Sequence, residues 1–248
     1  MIFDAHCHII DPRYPLTPNQ GYVPPAFDVP AYQAQTQPLG ITSGAVVSGS
    51  FQGFDQGYLI SALNSLGPGF VGVTQVLEET PDQALAELNQ HGVRAVRFNL
   101  KRGGSAPLAQ LDTLARRVHA NWGWHVELYV DSRDLSELAP ALTRLPAVSI
   151  DHLGLSAEGL PTLLRLAEQG VRIKACGFGR VDFPVAPALL ELHRANPDAL
   201  MFGSDLPSTR APRPFEAEDI QLIRDTLDEA GAQAVLWSNA RRFYRLQL

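Results

Sequence analysis

Cysteine is scarce in this chain, with two residues among 248, far too few for a disulfide framework. Cys7 and Cys176 both fall on strand-like segments and are expected to be reduced thiols, although the sequence leaves open whether they meet. Basic residues are outnumbered: 20 Lys and Arg against 26 Asp and Glu give a net charge of -6. Without a basic patch or an Arg/Lys-rich helix, nucleic acid and anionic membrane surfaces are excluded as partners. No apolar run is long enough to span a bilayer. The opening residues lack the basic and apolar regions of a secretory leader, so a cytoplasmic location is expected. No Gly-rich phosphate loop follows the first strand, and no repeat, low-complexity tract or domain boundary interrupts the chain. What remains is a mildly acidic protein, 45% hydrophobic with a mean hydropathy of -0.05, long enough to bury one large core.

The first stretch, Met1-Ile-Phe-Asp-Ala-His-Cys-His8, reads as a strand. Strict alternation would place Asp4, His6 and His8 on one face and Phe3, Ala5 and Cys7 on the other. Burying imidazoles and a carboxylate costs several kcal/mol unless they are paired, metal-bound or facing a wet pocket. A lone buried His is most simply a satisfied core residue. A His-x-His pair on a first strand points instead to a site, provided partners follow downstream.

The next stretch, Ile9 to Leu39, is irregular and rich in Pro with interleaved Tyr and Phe, and is read as a loop folded over a pocket mouth or as a packed surface loop. From Gly40 the chain alternates. Strands are expected at Ser43 to Ser50, Phe70 to Gln75, Val93 to Leu100, Trp124 to Val130, Ala147 to Leu153, Val171 to Cys176 and Ala199 to Ser204. Between and after them come helices at about Asp55 to Leu66, Pro81 to His91 (Thr80 as cap), Ala106 to Asn121, Asp134 to Leu145, a segment through Gln169, Val185 to Ala195, Glu216 to Ala230 and Ala234 to Arg245. Eight strands alternating with helices in a chain of this size predict an α/β fold of the (β/α)8 TIM-barrel type, one domain over residues 1–248.

In such barrels chemistry gathers at the C-terminal ends of the strands. Strand four places Arg97 and Asn99 on one face, and an interior Arg needs an anionic partner from the protein or from a ligand. Arg102 follows in the loop. Strand five puts His125, Glu127 and Tyr129 on its polar, inward face. His152 ends strand six, Arg180 follows strand seven and Asp205 follows strand eight. His6, His8, His152 and Asp205 are therefore expected at one end of one barrel. Such a set can ligate a divalent metal that acidifies water, or it can polarise a carbonyl while the carboxylate takes a proton from water. The spacing does not choose between them. His91, His119 and His193 fall on helical segments and read as surface residues, and Cys7 reads as core.

The Asp4-Ala-His-Cys-His8 motif, Asp151-His-Leu-Gly154, Gly203-Ser-Asp-Leu-Pro207 and the closing Asn239-Ala-Arg-Arg-Phe-Tyr-Arg-Leu246 resemble the amidohydrolase superfamily. More narrowly they resemble the 2-pyrone-4,6-dicarboxylate lactonase group of its amidohydrolase-2 branch. The likeness covers nearly the whole chain, with Tyr14 to Pro18, Tyr22 to Pro25, Ser50, Val96 to Asn99 and Lys101-Arg102 as its more specific parts. It implies that His6, His8 and His152 hold a lactone carbonyl and its oxyanion, and that Asp205 activates water. It further implies that Arg97, Arg102 and Arg180, with Tyr129, Tyr22 and Ser50, contact substrate carboxylates and neighbouring oxygens, and that no metal is required. Most of the superfamily does use metal, and in that reading His6, His8, His152 and Asp205 surround a zinc ion. Metal-dependent relatives also carry a ligating His on strand five; here His125 lies at the start of the strand and Tyr129 at its tip, so a structural role is expected for His125. The sequence thus leaves three readings. The first is a hydrolase for a small anionic lactone, the second a zinc-dependent hydrolase or decarboxylase, and the third a non-catalytic carboxylate-binding barrel. Intact His6, His8, His152 and Asp205 speak against the third. A monomer or small homo-oligomer is expected.

Overall fold

The computed structural model describes residues 1–246. Eight parallel strands hydrogen-bond in chain order: β1 (Ile2–Cys7), β2 (Ile41–Val47), β3 (Phe70–Thr74), β4 (Val93–Asn99), β5 (His125–Tyr129), β6 (Val148–Ile150), β7 (Arg172–Ala175) and β8 (Leu200–Phe202). The sheet curls into a (β/α)8 barrel whose seam lies between β8 and β1. Beyond the end of β8, Asp205 N donates to His6 O and His8 N donates to Leu206 O, both at 2.7 Å. Gly203 lets this seam close, because a Cβ there would stand 2.8 Å from His6 Cβ.

The helices are α1 (Val29–Thr36), α2 (Gly57–Leu66), α3 (Asp82–Gln90), α4 (Leu111–Trp122), α5 (Leu135–Leu142), α6 (Leu160–Glu168), α7 (Val185–Ala195), α8 (Ala217–Thr226), α9 (Glu229–Gln233) and α10 (Asn239–Phe243). No helix of the described residues is long and apolar enough to cross a membrane.

Several boundaries differ from the sequence expectation. The Pro-rich stretch carries a true helix, α1, capped by the Asp28 carboxylate accepting from Ala31 N, with Pro30 in its first turn. Strands β6 and β7 are shorter than their apolar runs, because the chain turns inward to present Asp151, His152 and Cys176. The expected helix over Glu216 to Ala230 is α8 with its break before α9. The expected helix over Ala234 to Arg245 is a π-helical turn (Ala234–Ser238) followed by α10. Thr80 does not cap α3; Pro81 occupies that position.

Strand β1 departs from strict alternation. Asp4 pairs with Gly44 and Cys7 with Val46, so three steps on β1 match two on β2, and this bulge reverses the parity of the side chains. Phe3 and Ala5 consequently point into the barrel, packed with Ala45, Val47, Val71, Val73, Ala95 and Met201. Asp4 and Cys7 point outward, toward Tyr32 of α1. His6 and His8 point inward, on the far side of the bulge. Asp4 is therefore a tie rather than a site residue: it accepts from Ser204 N, Ser204 Oγ, His6 N and Tyr32 OH, binding β1 to β8 and α1.

The barrel interior is divided. Apolar side chains, Phe3 and Met201 among them, fill the β1 to β3 and β8 side, whereas β4 to β7 contribute a polar column. From the closed end upward, His125 Nε2 lies 3.0 Å from Glu127 Oε1, and Tyr244 OH donates to the same oxygen. Lys174 bridges Glu127 Oε2 and Asp151 Oδ1, the latter at 3.6 Å. Arg97 Nη2 donates to Asp151 Oδ2 at 2.8 Å and Arg97 Nη1 to Ser48 O at 2.8 Å. Two carboxylates and two cations balance, so charges that could not be buried singly are buried together. Lys174 is 0% exposed. Lys174→Met should therefore leave Glu127 facing no cation and cost about 3–5 kcal/mol in denaturant unfolding. Adding Glu127→Gln should restore part of that loss. A Lys174→Met protein as stable as the wild type would show that the column does not hold the barrel together.

Candidate active site

At the open end of the barrel the strand tips and their loops enclose a pocket. It is lined by His8, Ser50, Phe51, Arg97, Asn99, Arg102, Tyr129, His152, Arg180, Asp205, Thr209 and Arg210, with Gly49. Two of its key side chains stand on left-handed backbone, His152 at φ 53° and Asp205 at φ 61°. Such non-glycine conformations cost on the order of 1–2 kcal/mol and persist where the surroundings over-determine them. Here the surroundings are the β1–β8 seam for Asp205 and the tight turn Asp151–Leu155 for His152.

The expected quartet does gather. His6 and His8 ring centroids are 5.0 Å apart, His6 and His152 4.7 Å, and His8 Nε2 lies 4.0 Å from Asp205 Oδ1. His6 lies beneath the pocket rather than on its wall, between the polar column below and the other imidazoles above.

Hydrogen-bond partners set what each ring can do. His8 Nδ1 is 2.7 Å from Val47 O. A carbonyl only accepts, so Nδ1 carries the hydrogen and Nε2 presents a lone pair. Asp205 Oδ2 accepts from Arg180 Nε at 2.6 Å, while Oδ1 is buried with no partner. Two acceptors, His8 Nε2 and Asp205 Oδ1, thus face one another across 4.0 Å, a separation that one water donating a hydrogen to each would fill. His6 differs. Its Nδ1 lies between a donor, Lys174 Nζ at 3.2 Å, and an acceptor, Asp151 Oδ1 at 3.4 Å, so either ring nitrogen can carry the hydrogen. That Nε2 is buried and without a partner. His152 Nδ1 is 3.1 Å from Cys176 Sγ, and burial pushes that thiol well up, so it stays S–H.

Burial holds the His6 imidazole below its ordinary range, and His8 and His152 well below theirs. Burial alone would raise Asp151, but the charges around it, Lys174 and Arg97 among them, outweigh that and hold it well below the usual carboxylate range. For Arg180, burial opposes the charge, yet the adjoining Asp205 raises it on balance.

The described residues offer two metal-sized trios that share His6: His6, His8 and Asp205, and His6, Asp151 and His152. The four residues expected around a zinc ion are thus not one cluster. His8 suits a ligand's role, with Nδ1–H fixed on a carbonyl and Nε2 free, and so does Asp205 Oδ1. His6 suits it in one tautomer, with Nδ1–H turned to Asp151 Oδ1 and the unpartnered Nε2 lone pair free. His6, His8 and Asp205 would hold a divalent cation, which would acidify a bound water, and His8 and Asp205 can equally hold a water directly.

The remaining expected residues sort by their partners. Ser50, Arg102 and Tyr129 line the pocket. Gly104, at φ 81° with its Cβ position 2.7 Å from Ser50 O, brings the β4 loop against Ser50. Arg97 and Arg180 also line the pocket, but their forks hold Asp151 and Asp205, so protein rather than ligand meets the anionic need inferred for Arg97. Tyr22 is not on the wall; its ring lies under the Arg210 guanidinium at 4.3 Å. His125 sits at the closed end against Phe243 and Tyr244, ring centroids 4.1 and 4.9 Å away. The two cysteines are free and buried. Sequence reasoning missed Lys174, Asp151 and Arg210. Period-two alternation from Arg172 would have turned Lys174 inward, whereas Arg210 lies in a loop without periodicity.

An eight-stranded barrel with imidazoles on its first and sixth strand tips and a carboxylate after its eighth places the chain among the amidohydrolases. The amidohydrolase family model matches residues 3–246, and the chain belongs to that family. Among characterised relatives, the 2-pyrone-4,6-dicarboxylate hydrolase of Comamonas testosteroni is 35% identical over 156 residues, 61% of this chain and 51% of that protein. The match thus spans about half of that relative's length. The 4-sulfomuconolactone hydrolase of Rhizobium radiobacter is 29% identical over 229 residues, 83% of this chain and 75% of that one. A crystal structure from Agrobacterium tumefaciens, solved without ligand, superposes with a TM-score of 0.87 at 22% identity, covering 99% of this chain and 96% of its own. At that identity it speaks for the fold alone.

The buried imidazoles make a pH prediction. His6, His8, His125 and His152 have depressed pKa values in the fold, first through burial, while in the unfolded chain they protonate near 6.5. As pH falls below that value the unfolded state binds protons that the fold does not, so stability is full above about 6.5 and declines on acidification. Asp4 works in the opposite sense, since burial raises it to about 6 and its contribution fades as pH rises through that value, but it is one group against four. The melting temperature should fall between pH 7.5 and 5.5; a flat or rising profile would mean that the rings protonate within the fold.

Proposed function

We propose that this protein is a hydrolase that opens a small carboxylated lactone with water activated by Asp205, and that it needs no metal to do so. The observation that carries this reading is the facing pair of acceptors, Asp205 Oδ1 and His8 Nε2, 4.0 Å apart in an arginine-lined pocket. The names of the Comamonas and Rhizobium relatives support the substrate class.

A water held between these two acceptors has its oxygen lone pairs free for the lactone carbonyl carbon. As the new C–O bond forms, Asp205 Oδ1 takes the proton, and Arg180 on Oδ2 holds the carboxylate in place. Charge moves to the former carbonyl oxygen, where the His152 ring on the pocket wall supplies a neutral donor in a site shielded from solvent. The resemblance gave all three histidines this donor role. The tautomer of His8 makes it a water-positioning acceptor instead. Collapse of the tetrahedral intermediate breaks the ring C–O bond, and the proton on Asp205 passes to the leaving oxygen. One water is consumed, and a ring-opened carboxylate with a free hydroxyl or enol results.

The reading is tested by hydrolysis of 2-pyrone-4,6-dicarboxylate and a panel of lactones, with protein whose metal content is assayed in the same preparation. Turnover should persist in chelator. Asp205→Asn should lower kcat by roughly 10²–10⁴-fold while a dicarboxylate still binds, and unchanged turnover would remove Asp205 as the base. Arg180→Met should lower kcat and not merely raise KM, since its partner is the base. Stoichiometric zinc, with activity lost on chelation, would replace this reading by the metal-dependent one.

A further inference from the structure

Four guanidinium groups line the pocket, from Arg97, Arg102, Arg180 and Arg210, and they divide into two kinds. Arg97 is held by Asp151 and Arg180 by Asp205, at 2.8 and 2.6 Å. Arg102 and Arg210 have no carboxylate partner among the described residues. They come from opposite sides of the barrel, Arg102 from the loop after β4 and Arg210 from the loop after β8, yet they are near enough for the charge of Arg102 to add to the burial that lowers Arg210. Like charges converging on a half-enclosed pocket disfavour one another unless an anion comes between them.

Arg210 has a second set of contacts. Its Nη2 donates to Asn19 O and its Nη1 to Asn19 Oδ1 at 3.2 Å, and its plane lies over Tyr22 at 4.3 Å. Asn19 Nδ2 in turn donates to Arg102 O at 3.1 Å. Arg210 also sits on left-handed backbone, φ 58°, a conformation of real cost for a non-glycine residue. Through this one side chain the Pro-rich β1 loop, the β4 loop and the β8 loop are joined over the pocket. Asn19 uses two of the five N–H groups of Arg210, and the others remain for a ligand.

We propose that Arg210 is a specificity-determining residue: with Arg102 it binds a carboxylate-type oxyanion of the substrate, and by holding Asn19 and Tyr22 it seats the β1 loop over the bound anion. The inference rests on the carboxylated-lactone reading and adds to it which cations remain for the substrate. Arg97 and Arg180 serve the protein's own carboxylates, and the anion is read by the pair without such partners.

Equilibrium binding of benzene-1,3-dicarboxylate and of its neutral diamide, measured by calorimetry, tests this without relying on turnover. The wild type should bind the dianion at least about tenfold more tightly than the diamide. Arg210→Gln should lose about 10–100-fold for the dianion, as removal of a charged hydrogen-bond donor does, and stay within about twofold for the diamide. Asn19→Ala unties the loop but keeps the guanidinium, so it should weaken both ligands by the same factor and preserve the discrimination. If Arg210→Gln instead weakens both ligands equally, or neither, Arg210 is only a loop tie and the proposal fails. A wild type that does not distinguish dianion from diamide overturns the proposal together with the anionic-substrate reading. A wild type that discriminates as expected but opens no lactone sinks the hydrolase reading and leaves the assignment of Arg210 standing.

Discussion

The buried charge of Lys174 joins three parts of the barrel interior. It stands inside the barrel with Glu127 below it, Asp151 beside it and His6 above, and each of the three depends on it differently. Glu127 has no other Lys or Arg partner among the described residues, whereas Asp151 shares Lys174 with Arg97. Asp151, once ionised, holds Arg97 by two hydrogen bonds, and Arg97 reaches Ser48 at the end of β2. His6 Nδ1 lies within reach of both Lys174 Nζ and Asp151 Oδ1. Lys174 and Arg97 together thereby balance the two carboxylates buried beneath the site.

Hydrogen-bond partners distinguish the three similar rings of the site. His8 has its hydrogen drawn to a backbone carbonyl and becomes an acceptor. His6 stands between an ammonium and a carboxylate and can take either tautomer. His152, beside a thiol and against the Tyr129 ring at 4.9 Å, belongs with the donor side of the pocket. Burial keeps all three neutral, which lets each ring keep one donor and one acceptor and makes the tautomer meaningful.

The fold was legible because its signal is local. Alternation in β5 turned His125, Glu127 and Tyr129 inward, and the strand–helix rhythm after Gly40 announced the barrel. Where a non-local device intervened, legibility ended. The bulge in β1 arises from pairing with β2 and leaves no mark in the residues themselves, so strict alternation put Asp4 inward and Phe3 outward, the reverse of what occurs. Helix α1 was hidden because Pro usually breaks helices, and only its place in the first turn after Asp28 makes it a starter. At the site, strand ends revealed His6, His8, His152 and Asp205. The partners of Arg97 and Arg180, 54 and 25 residues away, were beyond any spacing argument, and with them the distinction between cations that serve the fold and cations left for a ligand.

The seam between β8 and β1 has a bearing on the life of the polypeptide. The hydrogen bonds that close it join residues some 200 positions apart, and they involve the very peptide groups of His6, His8 and Asp205. Contacts of such long range can form only when both ends of the barrel are present. Chemistry that straddles this join has no half-made version. A nascent or clipped polypeptide without its eighth strand carries histidines with no base beside them, so reactivity arrives only with the completed ring.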